Sequence, residues 1–341
     1  MSGRRPDATR RALLQATAAL AGGVVALPRC ALSTDADRPA SGRRFAFALI
    51  GDAPYGALEA QWLARLYADF DRDIAFAIHV GDIKAGWERC DDALLAARHA
   101  LLDACPVPLV YVPGDNEWTD CARSRAGGFD PLERLDWLRR HFFAQPRPVG
   151  AGALRAAEAL AGFERQADHR PDGPPENLRW RHGGIGFVTL NLPGSNNGLA
   201  AEGLGESELR VRERFNAEWL RDAYAIAARE AQAALVVVAH ANPRFDRDRA
   251  RRSAPGTRRD GYAAFRRLLR ESSDAFAGPT LFLHGDTHWH TVQAISPKLV
   301  RVEAHGSPFV DQWVRIDVDA DAHQPFSLVS RRIAAAQPTP P

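Results

Sequence analysis

The chain has 341 residues, of which 45% are hydrophobic and 25% are charged, so we expect an ordinary globular protein with a large core. The formal net charge is +2, which is too small to indicate a nucleic-acid partner. Nearly all basic residues are arginines, since only Lys84 and Lys298 are lysines. A single arginine is therefore a weak guide to function here, and a retained lysine is a slightly stronger one.

The first 31 residues have the pattern of an export signal. The pair Arg10-Arg11 leads into an apolar stretch from Ala16 to Leu27, which is too short to be a stable bilayer anchor. We predict a twin-arginine-type signal peptide over 1–31, a linker over 32–43 and a periplasmic or secreted mature protein. A basic amphipathic start, or lipid attachment at Cys30, is the weaker alternative.

Three cysteines remain after the predicted signal, and none has the C-x-x-C spacing of a zinc knuckle. Cys90 and Cys121 each follow a predicted strand-end loop, so they are candidates for a disulfide in an oxidising compartment. Cys105 ends a helical run and is expected to be a buried thiol. Three free thiols are the alternative.

The first half of the chain alternates strands with helices, which predicts parallel strands joined by helical crossovers. The predicted strands are Phe45–Ile50, Ile74–Val80 and Leu109–Val112, and the helices are 58–70, 91–104 and about 131–143. A Gly-Asp pair follows each strand, at Asp52, Asp82 and Asp115. Because ligands gather beyond the carboxyl ends of parallel strands, we expect these three carboxylates to lie together.

The second half of the chain also places polar residues directly after predicted strands. We predict a hairpin over 179–191, a Gly/Asn-rich loop over 194–205, a helix over 206–231, and strands at Leu235–Ala239 and Thr280–Leu283. His240 follows the first of these strands, and Asp286 and His288 follow the second. Four short strands (Val292–Ile295, Leu299–Ala304, Phe309–Ile316 and Phe326–Ser330) suggest a second sheet. The polar stretch 242–261 is expected to be a long loop, and 333–341 a disordered tail.

Carboxylates and imidazoles at five strand ends are what a metal site needs. A single Gly-Asp pair could simply cap the next helix. Here the pair occurs four times, at Asp52, Asp82, Asp115 and Asp286, and two strand-end histidines join it. The recurrence favours a metal site over four unrelated caps.

The ordered series resembles the calcineurin-like metallophosphoesterase family over about Phe45 to His290. The matching motifs are Gly51-Asp52, Gly81-Asp82, Gly114-Asp115-Asn116-Glu117, His240 and Gly285-Asp286-Thr287-His288. The resemblance implies an α/β fold of two packed mixed sheets flanked by helices, in four layers, within one domain over 44–332. It also implies two metal ions at the carboxyl ends of strands and hydrolysis of a small phosphate ester by a metal-bound hydroxide.

The resemblance assigns the ligands residue by residue. Asp82 would bridge the two metals, Asp52 and His288 would hold the first, and Asp115, His240 and Asp286 would hold the second. A carboxylate-rich set favours Mn²⁺, Fe or Mg²⁺, and Zn²⁺ remains possible with two histidines. Glu117 is expected to fix loop geometry.

The chain departs from the family pattern at four positions. Pro54 stands where the first motif has its His, and Tyr55 follows as a candidate phenolate ligand. Asp115 and Asp286 replace neutral ligands, so four aspartates balance two divalent ions and the cluster attracts phosphate less strongly. Asn116 replaces the His that assists at the substrate; it can bind a phosphate oxygen but cannot deliver a proton.

Two features of the sequence could supply the positive charge that the cluster has lost. Lys84, two residues after Asp82, is a candidate catalytic cation. Alternatively, Tyr55 binds a trivalent metal, as a Tyr does in the purple acid phosphatase branch. Leaving-group protonation has three candidates, which are His290, His305 and Tyr55. A non-catalytic metal- or phosphate-binding protein is the competing hypothesis, and neither the substrate nor the oligomeric state follows from the sequence.

Overall fold

The computed structural model describes residues 43–150, 160–246 and 259–333. The predicted signal peptide, nearly all of the predicted linker, the arginine-rich stretch 247–258 and the tail beyond 333 lie outside the described residues. Within the described part, no helix is both long and apolar enough to cross a membrane.

A five-stranded mixed sheet holds the first three predicted strands. Its strands are β1 (Arg44–Ile50), β2 (Ile74–His79), β3 (Leu109–Tyr111), β11 (Gln312–Asp319) and β12 (Phe326–Arg332). The order is β12-β11-β1-β2-β3, with β1, β2 and β3 parallel and β11 and β12 antiparallel to their neighbours. The parallel strands are short apolar runs because both faces of this part of the sheet are covered.

A seven-stranded mixed sheet holds the later strands. They are β4 (Ala161–Arg165), β5 (Leu178–His182), β6 (Ile185–Thr189), β7 (Ala234–Val238), β8 (Thr280–His284), β9 (Thr291–Ser296) and β10 (Leu299–Glu303). The order is β4-β5-β6-β7-β8-β10-β9, and β6, β7, β8 and β10 are parallel. Both sheets therefore offer a group of parallel strand ends.

Five helices of twelve or more residues flank the sheets in the described ranges. They are α1 (Gly56–Ala68), α2 (Asp92–Asp103), α3 (Pro131–Phe142), α4 (Glu206–Arg229) and α5 (Ala263–Ala275). Asp91 and Asp130 cap α2 and α3 by accepting hydrogen bonds from backbone N–H groups in the first turn. These caps agree with the helix starts predicted from the sequence.

Aromatic side chains join the two sheets face to face. Phe47 and Phe76 of the first sheet meet Phe187 of the second with ring centroids 5.6 and 5.4 Å apart, near the perpendicular orientation that aromatic pairs favour. Trp180 stacks on Phe187 in the same core. Two packed mixed sheets with helices on their outer faces confirm the predicted fold class.

The details of the prediction differ in three places. β11 and β12 do not join the second sheet, because β11 pairs with the outer edge of β1 and completes the first sheet. The sequence reading missed β4 altogether. It also missed α5, although Phe265, Leu268 and Leu269 have helical spacing, because the flanking sequence is polar and arginine-rich.

A disulfide joins Cys90 to Cys121, as predicted, with 5.6 Å between their Cα atoms. Cys105 is a buried free thiol, also as predicted, and burial raises its pKa to about 12. The disulfide packs with Ala126 in a small apolar cluster at one side of the strand-end loops. It therefore fixes the segment that follows the third Gly-Asp motif.

Candidate metal centre

Six side chains from the two sheets converge where the parallel strands end. Asp52, Asp82 and Asp115 follow β1, β2 and β3, and His240, Asp286 and His288 follow β7 and β8. The loop after β6 closes the site from a third side, since Ser195 donates to Asp115 Oδ2 over 3.0 Å. The edge where ligands were expected to gather is therefore the edge at which these groups meet.

The six side chains form two overlapping groups of possible metal ligands. Donor atoms of Asp52, Asp82 and His288 lie within 4.8 Å of one another, and so do donor atoms of Asp82, Asp115 and His240. Asp82 belongs to both groups. Asp286 stands at the edge of the second group, with Oδ1 3.8 Å from His240 Nε2. This arrangement agrees with the ligand assignment that the family resemblance implies.

The repeated Gly-Asp pattern has a steric cause. The Cα of Gly114 packs directly against Asp82, and the Cα of Gly285 packs against Asp52, so a β-carbon at either glycine would collide with the neighbouring carboxylate. Each glycine thus makes room for the aspartate of another strand. Without these glycines the strand-end loops could not approach one another closely enough to share a metal.

Four of the predicted ligands have left-handed backbone conformations. The φ angles are 48° at Asp52, 57° at Asp82, 81° at Asp286 and 67° at His288. Non-glycine residues seldom adopt this region, and each such residue costs about 1–3 kcal/mol. Strain gathered at one set of side chains is typical of functional sites.

Both histidines are fixed in the same way. Nδ1 of His240 donates to the Val80 carbonyl over 2.7 Å, and Nδ1 of His288 donates to the Ser307 carbonyl over 2.7 Å. Each Nε2 therefore faces the site, where its lone pair can bind a metal when no proton occupies it.

The side chains of the two ligand groups are suited to binding a cation. His240 Nε2 is buried and faces carboxylate oxygens of Asp82 and Asp115 at 3.4 and 3.5 Å. Among the described residues neither this atom nor Asp52 Oδ2 has a hydrogen-bond partner. A lone pair opposite anionic oxygens is repulsive unless a proton or a metal ion lies between them.

The pKa shifts of the metal-free cluster also indicate that protons or a cation must balance its negative charge. Burial raises the pKa of Asp52 to about 8 and that of Asp286 to about 6. Burial alone would depress the pKa of His240, but the surrounding carboxylates raise it well above its ordinary value. Burial also favours the neutral form of Asp115, yet contacts with His240 and Ser195 hold the pKa of that carboxyl below its ordinary range. The cluster thus takes up protons where a metal would otherwise balance the charge.

Tyr55 lies in the first ligand group. Its hydroxyl is 2.9 Å from Asp82 Oδ2 and 3.1 Å from His288 Nε2, and its single hydrogen can serve only one of them at a time. Burial and the charge of Asp82 raise the pKa of Tyr55 well above 10, so the metal-free site holds a phenol. The predicted ligand role stays a prediction, and the position is compatible with it.

Asn116 is turned toward Asp82. Its Nδ2 donates to Asp82 Oδ2 over 2.6 Å, and its backbone N–H donates to Asp82 Oδ1 over 3.0 Å. Asn116 is also 7% exposed. The structure therefore places the amide as a support for the shared carboxylate, whereas the sequence suggested a contact with substrate phosphate.

Lys84 is not where a substrate-binding cation would be. It is fully buried, and its Nζ donates to the backbone carbonyls of Ala85 and Asn116 over 2.9 and 2.7 Å. Burial lowers the pKa of Lys84, and the nearby Glu117 and Asp82 partly oppose that effect. Lys84 holds the loop backbone and acts on the site only through its charge.

Glu117 has the supporting role that was predicted for it. Its Oε1 accepts hydrogen bonds from the backbone N–H groups of Asp82 and Gly114 and from the Tyr111 hydroxyl. Trp118, which follows Glu117, is fully buried in the core.

The three candidates for leaving-group protonation differ in their contacts with the predicted metal ligands. His290 and His305 stack on each other with centroids 4.5 Å apart, and they bond to the Glu303 carbonyl and the Ser330 hydroxyl. Neither bond reaches a predicted metal ligand. Tyr55 is the one of the three that contacts ligands.

Sequence reasoning missed a polar group beside Asp115. Asp120 and Arg123 follow the third motif, and Asp120 Oδ2 is 2.6 Å from Arg123 Nη1. Ser195 bonds both Asp115 and Asp120. In an arginine-rich chain Arg123 carries no distinguishing signal, and Ser195 reaches the site only because it has a left-handed φ of 51°. Asn196 and Asn197 of the same loop donate to the carbonyls of residues 259 and 261.

No protein-family model matches the chain, and no curated protein matches it. Among solved structures it is similar to a dimetal phosphatase from Danio rerio, with 15% identity and a TM-score of 0.47, over 85% of this chain and 99% of that chain. It is also similar to a 5′-nucleotidase from Candida albicans, with 9% identity and a TM-score of 0.46. That alignment covers 84% of this chain but 52% of the nucleotidase, about half its length. The function is therefore judged from the side chains of the site.

Proposed function

We propose that this chain is a binuclear-metal-dependent phosphoesterase of the calcineurin-like type, acting on a small phosphate ester. The observation that carries the proposal is that Asp82 is shared by two groups of buried Asp and His donors. A shared carboxylate between two sets of ligands is what a pair of metal ions requires. Asp52, His288 and Tyr55 would complete the first position, and Asp115, His240 and Asp286 the second.

Two divalent ions would supply Lewis-acid polarisation of the phosphoryl group and activation of water. The chain supplies the geometry. Glu117 fixes the backbone before Asp82, while Asn116 and Tyr55 hold Asp82 Oδ2. The backbone carbonyls of Val80 and Ser307 orient His240 and His288. Ligands held in this way need little rearrangement when the ester reacts.

Two other functions are supported by particular observations. A non-catalytic metal- or phosphate-binding protein is favoured by the orientation of Asn116, which is committed to Asp82. An iron enzyme resembling purple acid phosphatases is favoured by the Tyr55 hydroxyl, which lies within the first ligand group. The non-catalytic protein should bind metal without turnover. The iron enzyme should show a visible charge-transfer band.

We also propose that the protein is exported, as the twin-arginine pattern suggests. The buried disulfide between Cys90 and Cys121 supports this proposal, because disulfides persist in oxidising compartments and are rare in the cytosol. Comparing the sizes of the precursor and the periplasmic protein would test it.

The central test is turnover of an aryl phosphate by protein loaded in turn with Mn²⁺, Fe, Zn²⁺ or Mg²⁺. Asp82→Asn should lose metal and lower kcat/KM by at least about a hundredfold, because both metal positions depend on Asp82. Asp136→Asn, at a side chain on α3 that is 61% exposed, is the control and should behave as wild type. Two bound metals without turnover would favour the non-catalytic protein. No metal binding would refute the proposal.

A further inference from the structure

Arg123 is a cation at the border of the site that is partly open to solvent. Arg123 follows the 3-10 turn Thr119–Ala122, and its side chain is 39% exposed. Nη1 pairs with Asp120 Oδ2 at 2.6 Å, and Nη2 donates to Ser195 Oγ over 3.4 Å. Asp120 is 3% exposed, so it anchors the guanidinium from the protein side.

This guanidinium borders the metal ligands. Ser195 joins Arg123 to Asp115, since the Ser195 hydroxyl lies 3.0 Å from Asp115 Oδ2. A β-carbon at Gly86 would lie 2.7 Å from Asn116 Oδ1 and 3.3 Å from Arg123 Nη1. Arg123 and Asn116 therefore lie against the same glycine, and a side chain at that position would crowd both of them.

Arg123 retains unused donors. A guanidinium has five N–H groups, and two are accounted for by Asp120 and Ser195. Across the described ranges the other three have no hydrogen-bond partner, and the side chain is partly exposed. Lys84, by contrast, is buried with its ammonium bound to backbone. Arg244 pairs with Asp246 at 3.6 Å, and its charge partly offsets the effect of burial on the pKa of Asp286.

We infer that Arg123 is a substrate-binding residue that takes the non-bridging oxygens of a phosphate monoester beside the Asp115 side of the metal centre. The inference rests on the proposed function. Four aspartates offset the charge of two divalent ions, so a second source of positive charge is needed to attract phosphate. A guanidinium matches phosphate oxygens in a fork of parallel hydrogen bonds. A monoester offers more unesterified oxygen and more negative charge than a diester, so it gains more from this contact.

Binding of inorganic phosphate to the metal-loaded protein tests the contact without catalysis. Arg123→Gln should raise the phosphate Kd about ten- to a hundredfold, as loss of a charged hydrogen bond predicts, with two metals still bound. Arg123→Lys should recover part of this loss. Arg229→Gln, at a surface arginine of α4 that is 68% exposed, is the matched control. Calorimetry and metal analysis give both quantities.

A second measurement concerns ester class. The ratio of kcat/KM for p-nitrophenyl phosphate to that for bis(p-nitrophenyl) phosphate should fall at least about tenfold in Arg123→Gln. Unchanged phosphate affinity in Arg123→Gln would overturn the inference and leave the proposed function intact. Loss of metal from that variant, or absence of phosphate binding by the metal-loaded wild type, would also overturn it. If the wild type hydrolyses no ester but Arg123→Gln still weakens phosphate binding, the proposed function fails and the phosphate contact stands.

Discussion

Nε2 of His240 lies 3.4 Å from Oδ1 of Asp82, at the centre of the ligand cluster and away from solvent. Its other nitrogen donates to the Val80 carbonyl, so Nε2 holds either a lone pair or an added proton. With a lone pair, only a cation makes the contact favourable. With a proton, the contact is an ion pair. Metal and proton therefore compete for this position, and pH should decide between them.

The metal-free protein should lose stability as pH rises from 6.5 to 8. The folded-state pKa is about 8 at Asp52 and about 6 at Asp286, against 3.8 for an ordinary Asp. Across that window the folded chain therefore holds protons that the unfolded chain has released, and this contribution to stability disappears as pH rises. The raised pKa of His240 acts in the same direction, since its contribution is complete below pH 6.5 and is lost above the folded-state value.

Thermal unfolding with a chelator or with bound metal measures this effect. The metal-free Tm should fall between pH 6.5 and 8, and the gain from metal should grow, because ligands must be deprotonated to bind. Asp52→Asn should flatten the metal-free curve. A metal-free Tm that rises over the same range would contradict this account.

The strand-end positions of the candidate ligands were predictable because each depends on a local pattern. An apolar strand, a glycine and an aspartate can be recognised without knowing the fold, and the structure places Asp52 and Asp82 after β1 and β2 as that pattern predicts. Parallel pairing then brings these ends to one edge.

Other features of the site depend on long-range packing. Lys84 looked functional because lysine is rare in this chain, but its burial follows from the path of a loop. Arg123 looked ordinary among many arginines, and its position depends on the turn that the Cys90–Cys121 disulfide fixes. Ser195 has a left-handed backbone together with Asn196 and Asn197, and the asparagines favour that conformation without showing where the Ser195 hydroxyl lies.

Removing the Tyr55 hydroxyl should weaken the first metal position. Tyr55→Phe deletes a group that contacts both Asp82 and His288, and loss of such partners commonly lowers metal affinity or activity about 10–100-fold. Metal titration measures the change. Tyr224→Phe, which loses a hydroxyl bonded to Thr280, is the matched control.

The same variant tests the role of the phenol. If iron-loaded wild type shows a visible charge-transfer band and Tyr55→Phe lacks it, Tyr55 is a phenolate ligand. If the band is absent from both, Tyr55 acts as a hydrogen-bond donor to the ligands. Equal metal affinity in wild type and Tyr55→Phe would exclude both roles.

Esters with good leaving groups should react far better than alkyl esters. Asn116 cannot deliver a proton, and the hydrogen bonds of His290 and His305 do not reach a predicted ligand. Tyr55 is the remaining candidate, and burial raises the pKa of its hydroxyl well above 10, so it is a poor acid near neutral pH. General acid catalysis is commonly worth about 10²–10⁴-fold, so kcat/KM for p-nitrophenyl phosphate should exceed that for glycerol phosphate by about that factor. His290→Ala and His305→Ala should leave the ratio unchanged. Equal rates on aryl and alkyl esters would show that an acid operates at the leaving group.

Removing the disulfide should lower both stability and phosphate affinity. Cys90 and Cys121 are 31 positions apart, and closing a loop of that length stabilises a fold by about 3–4 kcal/mol. Both sulfur atoms also approach the Asn116 carbonyl, at 3.5 and 3.6 Å, and Cys121 lies in the turn that leads to Arg123. The double variant Cys90→Ser/Cys121→Ser should therefore unfold at lower denaturant concentration and bind inorganic phosphate more weakly.

Because the six predicted ligands lie on other segments or at strand ends, the double variant should keep two metals. Dithiothreitol should affect the wild type in the same way and have no further effect on the double variant. A double variant with unchanged phosphate affinity would show that the turn before Arg123 is held by its own packing.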